Sequence, residues 1–264
     1  MSRLHTAFAR AKAENRGALV IYICAGDPDL ETTERLILAA AEAGADVIEV
    51  GVPFSDPTAD GPVIQRASER ALKHGTNLTQ VLELVRRVRT KSEVAIVLFG
   101  YFNPILRYGE ARIAKDAKDA GVDGFLVVDL PPEEAEPLVT ALHEHELDFV
   151  PLVAPTTPDA RLKKIAKLAT SFIYYVSITG VTGSKAADLG SAATRAAAVQ
   201  AQTGIPVVVG FGVKSAADVR ELKNAAGLVV GSAICQLIEN AKTPDQAVHD
   251  VTALVKDLRA ATNR

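Results

Sequence analysis

The sequence predicts an α/β fold in which eight parallel strands close into a single (β/α)8 barrel of the TIM type, with extra helices at the N-terminus and in the loops. Three observations carry this expectation. Short apolar runs rich in β-branched residues recur eight times along the 264 residues. Each run is followed by a stretch with helical periodicity, the alternation of a parallel sheet. The runs are apolar at consecutive positions, as expected of strands covered on both faces. The length suits one barrel, which typically takes about 250 residues. No linker or low-complexity tract divides it, so residues 1–264 are read as one domain.

The elements follow in order. Residues 1–16 read as an amphipathic helix with charges throughout, lacking the apolar segment of a signal peptide. The first strand falls at 19–24. A helix over 31–43, with Leu36, Ala39, Ala40 and Ala43 on one face, leads to a second strand at 45–50. A proline-rich loop and an extra helix around 61–73 come next, then a helix over 78–89 and a third strand at 94–99. The remaining strands are placed at 122–128, 149–153, 172–176, 206–209 and 228–230, with a last helix from 244 onward. An open doubly wound sheet is the competing architecture. It would need a G-x-G-x-x-G turn after the first strand, and Cys24-Ala25-Gly26-Asp27-Pro28 is not one.

Composition narrows the function classes. A net charge of −3 provides no basic field, and no Lys/Arg cluster alternates with aromatic residues, which argues against nucleic acid as a partner. No run approaches the roughly 18 apolar residues of a membrane span. A soluble, cytoplasmic protein is expected. Cys24 and Cys235 sit in apolar runs and read as small buried hydrophobes. His5, His74, His143, His145 and His249 lie on helices or at helix ends, and His143 and His145 fall on different faces, so no metal site is expected. No strand interior carries a lysine suited to Schiff-base chemistry; Lys185 and Lys214 fall in loops.

Two features point to chemistry. The seventh strand ends in Gly210-Phe211-Gly212, and the eighth in Gly231-Ser232, which opens a helix over 233–240. Such turns let backbone N–H groups approach an anion, and barrels bind phosphate at these two positions. Ser232 would act as N-cap or as a direct hydroxyl donor. A single glycine turn would only make a tight corner. The second feature is Glu49, which interrupts the apolar run Val47-Ile48-Glu49-Val50. Burial of a carboxylate is costly unless it is paired or functional, and desolvation raises its pKa towards neutrality, where a general acid or base works. A structural ion pair is the alternative. In the loop that follows, Asp56 before proline and Asp60 before glycine read alone as turn residues. The segment 177–190 is expected to act as a lid over the substrate, its plain alternative being a surface loop.

The run Glu49-Val50-Gly51-Val52-Pro53-Phe54-Ser55-Asp56-Pro57-Thr58-Ala59-Asp60-Gly61-Pro62 resembles the signature of the tryptophan synthase α subunits. The likeness continues through Tyr101-Phe102-Asn103-Pro104, Asp129-Leu130-Pro131, Ser177 to Gly183, Gly210-Phe211-Gly212 and Gly231-Ser232-Ala233, and so spans the chain. The resemblance implies cleavage of indole-3-glycerol phosphate to indole and glyceraldehyde 3-phosphate. It also implies an α2β2 complex in which indole passes to a β subunit. Pyridoxal phosphate is expected only in that partner, and no cofactor in this chain. By position, the resemblance makes Glu49 the acid–base residue and Asp60 the carboxylate that holds the indole N–H. Tyr22, Phe99, Leu126 and Tyr174 match residues around the indole, and Thr182 the lid residue near the catalytic groups. Gly183, Gly212, Gly231 and Ser232 match the phosphate binders, and Gly210 and Phe211, in the same turn as Gly212, are read as substrate-binding with them. Pro53, Asp56, Pro57, Asn103 and Pro131 match positions facing the β subunit. Two positions depart from the familiar pattern, with Tyr22 in place of Phe and Phe99 in place of Leu. Both leave the pocket lined by large side chains with apolar bodies.

The chemistry agrees with the resemblance. An aldol cleavage needs an electron sink. With neither a strand lysine nor a metal cluster, the substrate supplies its own, because an indole protonated at C3 becomes an iminium-like acceptor. Two readings compete, a sugar-phosphate isomerase or epimerase on the same barrel and a non-catalytic activator of a partner enzyme. The first is opposed by the 49–62 signature, and the second by the presence of both carboxylates.

Overall fold

In the computed structural model, residues 2–176, 189–210 and 212–264 are described. They form one parallel sheet whose two edges meet within a single stretch of chain. The strands are β1 (Ala18–Cys24), β2 (Val47–Gly51), β3 (Ala95–Gly100), β4 (Gly124–Val127), β5 (Asp148–Phe149), β6 (Leu152–Val153), β7 (Ile173–Val176), β8 (Val207–Gly210) and β9 (Gly227–Val230). They pair in the order β5-β4-β3-β2-β1-β9-β8-β7-β6. Since β5 and β6 are separated only by Val150-Pro151, the sheet closes into a barrel.

The run expected as one strand at 149–153 is therefore two short pieces. Pro151 has no N–H to donate and breaks the ladder. The break is bridged on both sides. The Val150 N–H donates to the Phe125 carbonyl at 2.8 Å, and the Tyr174 N–H to the Pro151 carbonyl at 3.0 Å. The other strands fall within two residues of the expected bounds at either end.

Side chains alternate across the barrel wall, as the two-residue period of a strand requires. In β1, Leu19, Ile21 and Ile23 join the layer beneath the helices, whereas Ala18, Val20, Tyr22 and Cys24 fill the interior. In β2, Ile48 and Val50 face outward and Val47 inward. The same period turns Glu49 into the interior. Both cysteines are buried free thiols, as expected.

The N-terminal helix, Arg3–Ala13, forms the floor. Its Leu4, Ala7, Phe8 and Ala11 belong to the interior cluster, and the Phe8 ring lies 5.0 Å from that of Phe172. The floor is held by charge as well. Asp46, just ahead of β2, accepts from Arg16 at 2.5 and 2.8 Å, from Arg10 at 2.9 Å and from the Leu19 N–H at 2.9 Å. Further helices lie where the sequence placed them, at Pro62–Lys73 and Pro244–Ala261. A short helix, Phe102–Tyr108, was not expected. Its N-terminus is held by the Asp129 carboxylate, which accepts the Phe102 N–H at 2.7 Å. No described helix is long and apolar enough to cross a membrane.

Candidate active site

Glu49 is the one charged residue of β2, and its register partners are Tyr22 on β1 and Val97 on β3. Its side chain is fully buried, and neither carboxylate oxygen has a hydrogen-bond partner among the described residues. The structural ion pair considered above is thus not what holds it. Desolvation alone pushes its pKa from the ordinary 4.5 up to about 8. At neutral pH the group is a carboxylic acid with a proton to give.

Asp60 lies on the loop after β2, just ahead of the helix Pro62–Lys73. The loop is held in place by the helix that follows it. Ser68 accepts the Phe54 N–H at 2.8 Å and donates back to the Phe54 carbonyl at 3.0 Å. Gln65, three residues before it on the same helix face, donates its side-chain amide to the carbonyls of Asp60 at 3.0 Å and Pro57 at 3.3 Å. The Asp60 carboxylate itself accepts the Tyr101 hydroxyl at 3.0 Å, and that hydroxyl accepts the Ala59 N–H at 3.0 Å. Stacking of Tyr101 on Phe54, with ring centres 5.0 Å apart, completes the clamp. Burial raises the Asp60 pKa to about 6, with the Tyr101 hydrogen bond pulling the other way. Asp60 is therefore ionised at neutral pH while Glu49 is protonated. Different protonation states of this kind are how one site provides both an acid and an anionic acceptor.

Tyr22, Phe99, Leu126 and Tyr174, the residues expected around the indole, all belong to the interior cluster. Tyr22 meets Phe99 edge to face at 5.2 Å, and Leu126 is the register partner of Phe99 on the next strand. Burial is the main reason that the Tyr22 and Tyr174 hydroxyls stay well above their ordinary pKa, and negative charge on Glu49 and Asp60 adds to it at both. Both carboxylates thus act on the same two tyrosines. The eleven-residue interval between Glu49 and Asp60 is a strand end plus a loop that brings Asp60 within electrostatic reach of the same two tyrosines. Gly51 makes room for this packing, because a β-carbon there would collide with the Tyr22 hydroxyl and lie 2.6 Å from its ring.

At the other end, β8 and β9 are paired neighbours, and each leads into a glycine turn. Gly212 has φ +87°, a left-handed conformation that favours glycine. The helix Ser232–Asn240 begins at Gly231 with no side-chain cap, which leaves its first N–H groups to an anion. Ser232 is its first helical residue and not the cap, because Gly231 holds the cap position. Gly231 lies against Tyr22, a β-carbon there falling 3.3 Å from that of the tyrosine, so the turn expected to bind phosphate adjoins a residue expected around the indole. Thr182, Gly183 and Phe211 lie outside the described residues, as does most of the expected lid, at 177–188.

Of the positions expected to face a partner, Asp56, Asn103 and Pro131 are exposed and Pro57 is half-buried. Pro53 is buried. Leu106, on the same short helix as Asn103, is 54 % exposed, the largest apolar side chain left open among the described residues. Tyr101, Gln65 and Ser68 were not singled out as site residues. The three-residue interval of the last two, on a helix directly after the loop, was the available clue. No three His, Cys, Asp or Glu residues are grouped to hold a metal among the described residues.

Residues 8–263 match the model of the family described as tryptophan synthase alpha chain. The chain is 50 % identical over 262 residues to the tryptophan synthase alpha chain of Geobacter sulfurreducens, with 99 % of each covered. It is 48 % identical to that of Cupriavidus pinatubonensis, again with 99 % of each covered. Among solved structures, the tryptophan synthase subunit alpha of Legionella pneumophila superposes with a TM-score of 0.89 at 39 % identity, over 99 % of this chain and 98 % of that one.

Proposed function

The chain belongs to the tryptophan synthase alpha chain family, and on that premise we propose that Glu49 and Asp60 carry its reaction. It is a carbon–carbon lyase, cleaving indole-3-glycerol phosphate and passing indole to a β subunit. The observation that carries the assignment is the buried Glu49 carboxyl, unpaired among the described residues and protonated at neutral pH, while an ionised Asp60 acts on the same two tyrosines.

The steps balance on these two groups. Asp60, as a carboxylate, accepts the hydrogen bond of the indole N–H and stabilises the positive charge that appears on the ring. Glu49 gives its proton to indole C3, and the ring becomes an iminium-like acceptor. The Glu49 carboxylate then takes the proton of the glycerol hydroxyl next to C3. The bond from C3 to that carbon breaks, its electron pair returns to the ring as neutral indole, and the hydroxyl carbon becomes the aldehyde of glyceraldehyde 3-phosphate. Glu49 ends protonated, ready for another cycle. Tyr22, Phe99, Leu126 and Tyr174 hold the ring by apolar contact and exclude water. The backbone around Gly210 and Gly212, with Gly231 and Ser232, holds the phosphate; Gly183, Phe211 and the lid residue Thr182 are assigned to the substrate by the resemblance.

The partner is a pyridoxal-phosphate-dependent β subunit in an α2β2 complex in the cytoplasm. The exposed face with Asp56, Asn103, Leu106 and Pro131, together with Pro57, suits such an interface. Indole release from indole-3-glycerol phosphate, measured with and without a β subunit, tests the assignment. Glu49→Gln is expected to lower the rate by at least about a hundredfold and Asp60→Asn by a lesser factor. Near-normal indole production by Glu49→Gln would overturn the mechanism.

A further inference from the structure

The helix Pro62–Lys73 carries two polar stripes with different tasks. Gln65 and Ser68 hold the loop that bears Asp60. Arg66 and Arg70, one helical turn apart, reach the other way, to the helix that starts at Gly231–Ser232. Arg70 spans two carboxylates. It pairs with Asp27, in the turn after β1, through Nε and Nη2 at 2.8 Å each, and with Glu239 through Nη1 at 2.8 Å. Arg66 grips the same Glu239 at 2.7 and 2.8 Å. Asp27 is fully buried, while the Glu239 side chain is 22 % exposed, so the link runs from the barrel wall to its surface. Between the two stripes, Ala67 and Ala71 pack into the interior cluster that contains Tyr22.

We propose that Arg70 is a positioning residue that fixes Asp60 relative to the phosphate-binding turn at Gly231–Ser232. A single rigid helix contacts both ends of the substrate site; Arg66 and Arg70 both hold it to the phosphate-side helix, and Arg70 alone of the two also ties it to Asp27 on the barrel wall. Binding energy from the phosphate, remote from the reacting carbon, is thereby used to place the carboxylate that faces the indole nitrogen. Asp27 sets the geometry, since a planar guanidinium can serve two carboxylates at once and an ammonium is a point charge.

The inference rests on the phosphate reading above, and a comparison of two substrates separates them. The rates of indole-3-glycerol phosphate and of unphosphorylated indole-3-glycerol are measured with the β subunit present. Arg70→Lys keeps a charge beside Asp27 but cannot span both partners. Glu239→Ala cuts the link from its exposed side, and it carries the test alone if Arg70→Lys fails to fold. Both variants are expected to lose about tenfold in kcat on the phosphorylated substrate, with KM changed less than about twofold. On indole-3-glycerol they should match the unaltered chain. Equal losses on both substrates, or a rise in KM alone, would overturn the positioning role. If the unaltered chain shows no preference for the phosphate, the phosphate reading fails, and the inference with it. A preference that persists undiminished in both variants overturns the inference alone.

Discussion

The Tyr101 hydroxyl donates to the Asp60 carboxylate at 3.0 Å across 41 residues of sequence. This hydrogen bond lowers a pKa that burial has raised. Tyr101→Phe removes it, so the Asp60 pKa should move above about 6. The acid side of the pH–rate profile should shift to higher pH with it. At pH 7 the loss in kcat/KM should be about three- to tenfold, the worth of a typical hydrogen bond. An unmoved profile would mean that Tyr101 only supports the loop.

For the unaltered chain, kcat/KM should rise as Asp60 ionises near pH 6 and fall as Glu49 loses its proton near pH 8. Asp60→Asn should lack the rising limb. A profile flat from 5 to 9 would contradict the assignment of acid and acceptor.

Glu49 also makes a claim on stability. Its proton is held more tightly in the folded chain, with pKa about 8, than at the ordinary value of 4.5. Between these values the native state binds more protons than the unfolded state, so stability is full below the lower value and is lost as pH rises through the upper one. Each tenfold change in proton affinity is worth about 1.4 kcal/mol. Glu49→Gln should therefore be more stable than the unaltered chain at pH 8.5 by a few kcal/mol, with little difference at pH 4.5. Denaturant unfolding of the isolated chain at the two pH values measures this.

Gly51→Ala should cost about 1–3 kcal/mol by overpacking. Tyr22→Phe should rescue it only in part, because ring carbons as well as the hydroxyl stand within 2.8 Å of the added methyl. Tyr22→Leu should restore stability further. Thermal unfolding of the single and double variants decides this.

At the floor, Asp46→Asn weakens a buried pair with Arg16, whose side chain is 2 % exposed. The expected loss is about 3 kcal/mol of stability, with kcat unchanged for the folded enzyme.

The architecture was legible because each strand had to be apolar on both faces, so the runs stood out against polar helix faces and loops. Glu49 was legible for the same reason, as a carboxylate in a place where water cannot follow. Asp60 was not. Its environment is made by Tyr101 and Gln65, and neither the stacking on Phe54 nor the helix return leaves a local pattern; the resemblance supplied its role. The division of the fifth strand was written in Pro151, yet a proline inside a five-residue apolar run does not say whether the chain bends, shifts register or stops. Here it ends one ladder and lets another begin. The Arg70 link joins residues up to 212 positions apart in sequence, 27 to 239, through a helix whose periodicity alone reveals only that it has polar faces.

That division at Val150-Pro151 makes the barrel a split ring. Every other junction between neighbouring strands is a ladder that resists shear, whereas this one is crossed by the chain alone, Val150 being bonded to β4 and Pro151 to β7. Elastic compliance should gather at that seam, three junctions from β2 by the shorter way around. The wall bearing Glu49 then stays stiff while the opposite side yields.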